Sequence, residues 1–306
     1  MNGQTTVTTA HSAARIRVLD YLELMKPELT GLSVLTALCG YYLAGTEFFV
    51  SGFVFTGLGT LLLGGGAGAL NQYAERSWDA LMKRTERRPL PSGRLQAWQA
   101  FLFGVTTSIV GLAILFFMLN MITGFLGIVT FILYVLVYTP LKRYTWYATL
   151  VGAVPGALPP VMGWTAAGGE LGGTAAILFL ILFFWQMPHF FSLAWMYRKD
   201  YGRAGYRMLT VLDLSGTRTS RQTLLHCVAL IPASLALTFL NVTGTMYAAG
   251  ALVLGCGFLA LSVLFRHYTS MPFTQTSKVN SAARIVFFAS LIYLPSLFFL
   301  MTVDKV

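Results

Sequence analysis

Three side chains with hard oxygen donors, Asn71, Glu75 and Asp79, stand four residues apart in NQYAERSWDALMKRTERRPLPSGR. On a helix they drift by only about 80° and cover about 12 Å of axis, so they form one polar stripe. Bases follow at once: Lys83, Arg84, Arg87, Arg88 and Arg94. Mg²⁺ is usually held by one or two carboxylates while substrate phosphates and waters complete its shell. Arginines can take the remaining phosphate oxygens in bidentate contacts. The stripe therefore predicts a metal-bridged diphosphate. The plain alternative is an exposed helix end with i, i+4 ion pairs to Lys83 or Arg76.

A second polar patch lies in FFWQMPHFFSLAWMYRKDYGRAGYRML, with His189, Lys199, Asp200, Tyr201 and Arg203. Asp200 can supply a carboxylate opposite the stripe. Three carboxylates and a diphosphate of about −3 are then balanced by two Mg²⁺ and nearby bases. A third element pairs Tyr138 with Lys142 in YVLVYTPLKRY. Pro140 threatens its helical spacing, and a lysine at a span end also serves as a topological anchor. His189, behind Pro188 in an aromatic run, reads either as a ligand or proton carrier or as a hydrogen-bonded packing residue. His11, His226 and His267 carry no site expectation.

The elements that must position these groups follow from composition. Of 306 residues, 56% are hydrophobic and 10% charged, with a mean hydropathy of +0.68. So few charges cannot coat a water-soluble surface, and the composition equally excludes a disordered or disulfide-stapled secreted chain. Apolar runs at 29–46, 52–70, 97–117, 121–139, 148–166, 174–195, 223–240, 246–265 and 284–302 predict about nine transmembrane helices around a central cavity. The runs are continuous rather than alternating, which excludes a β-barrel and makes the fold class all-α. In the fifth run, Pro155, Pro159, Pro160 and several glycines would break a helix, an irregularity tolerated only against a cavity or protein wall.

Charge sets the expected orientation. Alternate loops collect 20 of the 21 Lys and Arg, leaving only Lys305 on the other side. The positive-inside rule then places the N-terminus in the cytoplasm and the C-terminus outside. Residues 1–28 are expected as a cytoplasmic tail, without a signal-peptide apolar region, and 29–306 as a single membrane domain. The net charge of +10 is accordingly one-sided and suits contact with anionic lipid of the bilayer. No nucleic-acid module is visible. Cys39, Cys227 and Cys256 sit in apolar runs and read as packing residues.

Several motifs in order extend this reading. Asn71, Glu75, Asp79, Met82, Arg84, Thr85, Arg88, Pro89 and Leu90 match N-x-x-x-(D/E)-x-x-x-D followed by M-x-R-T-x-x-R-P-L. Tyr138 and Lys142 match Y-x-x-x-K, residues 151–160 match V-G-A-x-P-G-A-x-P-P, Trp185 to Phe190 match W-Q-x-P-H-F, and Asp200 to Leu209 match D-Y-x-x-A-G-x-x-M-L. Over nearly its whole length the chain resembles the UbiA-type intramembrane prenyltransferase superfamily, and within it the heme-modifying branch. Quinone-type members differ: they carry an extra Asp where Gln72 stands and a second acid where Ala204 stands.

The resemblance implies Mg²⁺ on Asn71, Glu75, Asp79 and Asp200, with Tyr138 and Lys142 in the catalytic set. It implies diphosphate contacts from Lys83, Arg84, Arg87, Arg88, Lys199 and Arg203, and heme contact by His189. The implied reaction moves the farnesyl group of farnesyl diphosphate to the 2-vinyl group of heme B, with addition of water, in a bacterial plasma membrane or a mitochondrial inner membrane. A heme A synthase or terminal oxidase assembly is the implied downstream partner. The rivals are a quinone- or chlorophyll-type aromatic prenyltransferase and a multi-span transporter. The transporter fits poorly, because the acids gather at one face instead of spreading across the membrane.

Overall fold

A computed structural model of the chain describes residues 18–45, 47–271 and 276–306. His11, Arg15, Arg17 and the rest of the first 17 residues lie outside the described residues. Helices account for the regular structure: α1 (Pro27–Ala44), α2 (Val50–Asp79), α3 (Ala97–Leu119), α4 (Met121–Leu141), α5 (Ala148–Ala157), α6 (Pro159–Ala166), α7 (Gly173–Met196), α8 (Arg198–Arg203), α9 (Leu209–Leu212), α10 (Thr217–Phe239), α11 (Thr245–Ser270) and α12 (Thr276–Val303). Among them α2, α3, α4, α7, α10, α11 and α12 are each long and apolar enough to cross a membrane.

Two of the nine expected runs take other forms. The first is α1, an 18-residue helix with Glu28 in its opening turn. The fifth is the pair α5 and α6, parted at Leu158. Pro159 starts α6, where its missing N–H costs nothing. The polar loops are also shorter than expected. α10 begins at Thr217, and α2 keeps its helical form through Asp79, carrying the stripe beyond the apolar run.

In lipid, helices gain little from hydrophobic burial against one another, and close van der Waals fit and buried hydrogen bonds hold them instead. α1 crosses α6 at such a contact: a Cβ on Gly163 would lie 1.7 Å from the Ala37 carbonyl oxygen, and one on Gly40 would lie 2.1 Å from that of Pro160. On the other side of the bundle, α7, α10, α11 and α12 pack around Trp195, Tyr247, Phe265 and Phe298. There Tyr247 donates to the Ser234 carbonyl at 2.9 Å, and Cys227 sits 3.0 Å from the Ser262 hydroxyl. The ring of helices closes where α12 meets α1.

The two ends of the bundle differ in charge among the described residues. At one end Lys305 donates to the carbonyls of Tyr42 and Gly45 where α1 stops, and Asp304 accepts from the Tyr247 amide in the first turn of α11 at 2.7 Å. Cation at a helix C-terminus and anion at an N-terminus are the favourable placements. At the other end the basic loops assemble. Residues 18–24 are helical there and are not a free tail. Leu24 is fully buried, Asp20 pairs with Arg94, and Glu23 pairs with the same guanidinium at 2.8 Å.

Candidate functional site

A chamber opens among α1, α2, α4, α5, α6 and α7. Along α2 it is lined from Thr60 to Asp79, which at 1.5 Å per residue is about 28 Å of helix axis. Its basic end carries Lys26, Glu75, Asp79, Arg84, Arg88 and Lys142, and its interior wall includes Leu63, Phe131, Met162, Trp185 and His189.

The local sequence explains how the charged end is built. After Asp79 the chain turns back in a series of tight turns, tied by the Thr85 hydroxyl donating to the Asp79 carbonyl at 2.8 Å. This brings Arg88 to Asp79 at 2.8 Å. Met82 packs with Ala194, Ala204, Tyr206 and Met208, joining the first motif to the loop after α7. That loop is fastened in turn by the Arg207 amide donating to the Lys142 carbonyl at 3.2 Å. In α4 the π-helical stretch Ile132–Tyr138 precedes a last α turn containing Pro140. The expected spacing survives Pro140: the Lys142 amide donates to the Tyr138 carbonyl at 3.2 Å, and its ammonium lies 4.7 Å from the Tyr138 ring centre.

Each residue of the stripe meets a cation. Glu75 pairs with Lys142, Asp79 with Arg88, and the Asn71 carbonyl oxygen accepts from Lys26. The i, i+4 alternative is not realised, since Arg76 donates instead to the Tyr73 carbonyl at 2.7 Å. Burial by itself would lower Lys142, but the Glu75 carboxylate beside it more than offsets this and holds it above its ordinary value. Glu75, Asp79 and Asn71 are all at most 5% exposed, so these cations, rather than bulk water, compensate their oxygens.

Placement of the remaining expected residues is uneven. Arg84 lines the chamber, donates to the Tyr201 hydroxyl and packs over the Tyr197 ring at 4.8 Å. Tyr138 and His189 line it as well. Asn71 does not: its amide donates to the Thr139 hydroxyl at 2.9 Å and its oxygen is taken by Lys26. Asp200 is not brought to the stripe, because one turn along α8 it pairs with Arg203. Among the described residues no group of three or more His, Cys, Asp and Glu converges on one point, so the four-ligand set is not assembled. Lys83, Arg87, Lys199 and Arg203 are exposed and stay outside the chamber lining.

Two lining residues escape a reading of the sequence. Lys26 looks like one more basic anchor, yet it reaches the centre of the polar end. Its only signal is its place directly before Pro27, where the first helix begins. Tyr206 occupies a variable position of the last motif. It is 3% exposed, and its hydroxyl faces the Glu75 carboxylate. Burial first, and the Glu75 carboxylate next, push this phenol above its ordinary value, so it remains an O–H donor. Gln72 donates to the carbonyls of Glu23 and Leu24 at 3.0 and 3.2 Å and so anchors the segment before Lys26.

The model of the UbiA prenyltransferase family matches residues 33–292. The chain belongs to this family. A relative named protoheme IX farnesyltransferase, from Solibacter usitatus, is 42% identical over 94% of this chain and 98% of its own length. A human relative, protoheme IX farnesyltransferase, mitochondrial, is 40% identical over 92% of this chain and 61% of its own. The family fold recurs in a solved UbiA homologue from Archaeoglobus fulgidus bound to GPP and Mg²⁺, with TM-score 0.64, 16% identity, and coverage of 92% of this chain and 99% of that one. Family membership and the apolar helices make the chain an integral membrane protein.

Proposed function

We propose that the chain transfers the farnesyl group of farnesyl diphosphate to the 2-vinyl group of heme B, with addition of water, giving heme O and diphosphate. The observation that carries this reading is that one chamber joins two buried carboxylates and four cations at its polar end to His189 on an aromatic wall. The names of the relatives support the same acceptor.

Glu75 and Asp79, one turn apart, offer the hard oxygens that suit Mg²⁺, and the Archaeoglobus homologue's bound GPP and Mg²⁺ support this choice. Asn71 lies one turn further along α2, and Asp200, paired with Arg203 outside the chamber, is left out of this ligand set. When bound, Mg²⁺ supplies positive charge to the departing diphosphate. Lys26, Arg84, Arg88 and Lys142 bind the phosphate oxygens and hold the same charge as the C–O bond breaks and the diphosphate takes the electron pair. The vinyl group forms the new C–C bond with the allylic cation. Water then captures the cation left beside the porphyrin and loses a proton. Leu63, Phe131 and Met162 shield the farnesyl cation from earlier capture. The basic end faces the cytoplasm of a bacterial plasma membrane in this reading.

The decisive experiment is to incubate the purified protein with heme B, farnesyl diphosphate and Mg²⁺ and weigh the extracted pigment. A Mg²⁺-dependent gain of one farnesyl group and one water supports the proposal. Farnesylation of a hydroxybenzoate offered in parallel, with heme unchanged, would move the protein to the quinone branch. Asp200→Asn should cost less activity than the same change at Asp79, since Asp200 stands outside the chamber; equal losses would place it in the ligand set.

Lys26 gives the binding step a pH dependence. Burial first, and then the charge of Arg88, push its ammonium down to about 7, against an upward pull from Glu75. Between that value and its ordinary one, the unfolded chain carries a proton that the folded chain lacks, so stability contributed by this group rises with pH. A bound diphosphate restores the proton, and binding above pH 7 takes one up. Affinity should therefore fall as pH rises through 7, by up to about tenfold per pH unit. Calorimetric titration of farnesyl diphosphate should show this component removed in Lys26→Met; an unchanged slope would exclude Lys26 from the phosphate contacts.

A further inference from the structure

We propose that Ser290 is a positioning residue that holds His189 in the Nδ1–H tautomer, so that its Nε2 lone pair serves as ligand to the iron of the bound porphyrin. This rests on the heme-farnesylating reading above.

A serine hydroxyl has one proton to give. The Ser290 hydroxyl, fully buried on α12, donates that proton to the Phe287 carbonyl one turn back. Toward His189 Nδ1, 2.8 Å away, it can then only accept. The proton of the neutral imidazole sits on Nδ1, and Nε2 is left with a lone pair. Among the described residues Nε2 has no hydrogen-bond partner, and His189 is part of the chamber wall.

The ring is also fixed in direction. Trp185 stacks on it at 5.3 Å and 22°, and Phe287 packs at 4.9 Å and 32°. The Trp185 indole N–H donates to the Ser290 carbonyl at 2.9 Å. One residue of α12 thus anchors both the imidazole and the indole stacked against it. A backbone or hydroxyl acceptor on the distal nitrogen is how proteins orient a metal-binding histidine and raise its basicity. The surroundings favour a ligand over a proton carrier: the ring contacts are aromatic, and among the described residues no carboxylate pairs with His189 to balance an imidazolium.

The test is titration of heme B into the purified full chain without farnesyl diphosphate, followed by the Soret and visible bands. The wild type should show imidazole-ligated heme. Ser290→Ala should bind heme about 10- to 100-fold more weakly while keeping its affinity for farnesyl diphosphate, which also reports that it is folded. His189→Gly should lose the ligated spectrum and recover it with added imidazole, and at least about tenfold less well with 1-methylimidazole, which has no N–H for Ser290. Wild-type heme affinity and spectrum in Ser290→Ala, or equal rescue by the two imidazoles, would overturn the role of Ser290. A heme-ligated spectrum that persists in His189→Gly would overturn His189 as the ligand. Failure of the wild type to bind heme, with farnesyl diphosphate binding intact, would instead remove the heme reading and this proposal with it.

Discussion

Asp79→Asn should lower the rate of farnesyl transfer by about 10²- to 10³-fold, the usual cost of losing a group that meets developing charge in a water-poor site. The substitution preserves shape. Asp79 is 1% exposed, its carbonyl still accepts from Thr85, and its side chain still fits beside Arg88. What is lost is the negative charge, and with it a hard ligand for Mg²⁺ and the partner that restrains Arg88. The deficit should therefore appear in kcat and in the Mg²⁺ dependence, with thermal stability in detergent shifted far less than activity. Turnover within tenfold of wild type at saturating Mg²⁺ would remove Asp79 from the metal site.

The second large effect is structural. Gly163→Ala places a methyl group 1.7 Å from the Ala37 carbonyl oxygen and 2.8 Å from the Tyr41 amide nitrogen, both backbone atoms that cannot rotate away. α1 must then move off α6, and α1 begins at the residue after Lys26. Overpacking of a tight contact costs about 1–3 kcal/mol and more when backbone must shift, so this variant should sit at or beyond the upper end. Gly31→Ala, on the partner helix α1 with nothing within 4 Å of the added Cβ, is the control and should be nearly silent. Thermal unfolding of both in detergent decides the matter. Equal melting temperatures would show that the α1–α6 crossing does not limit stability.

Some of the site was legible because it depends on one helix at a time. Asn71, Glu75 and Asp79 share a face by helical period alone, and α2 runs long enough to carry them. Tyr138 and Lys142 meet across one turn for the same reason, despite Pro140. The one-sided bases also needed only the order of apolar runs, and Lys26, Arg84, Arg88 and Lys142 meet at the polar end of the chamber. The prolines of the fifth run announced a break, which falls at Leu158 beside the chamber.

The partners of those faces belong to the tertiary structure. Lys142 rather than Lys83 meets Glu75, because the end of α4 and the loop before α9 dock together through Arg207. Lys26 reaches the stripe because α1 is pressed against α6 at glycine contacts and Gln72 ties down the segment before it. Asp200 turns to Arg203 within its own short helix, although its motif pointed it at the metal. Ser290, 101 residues from His189 in the chain, had no signal in any motif. Periodicity along a sequence determines which groups share a surface; which surfaces then touch depends on helix crossings and loop returns, whose close contacts join residues far apart in the chain.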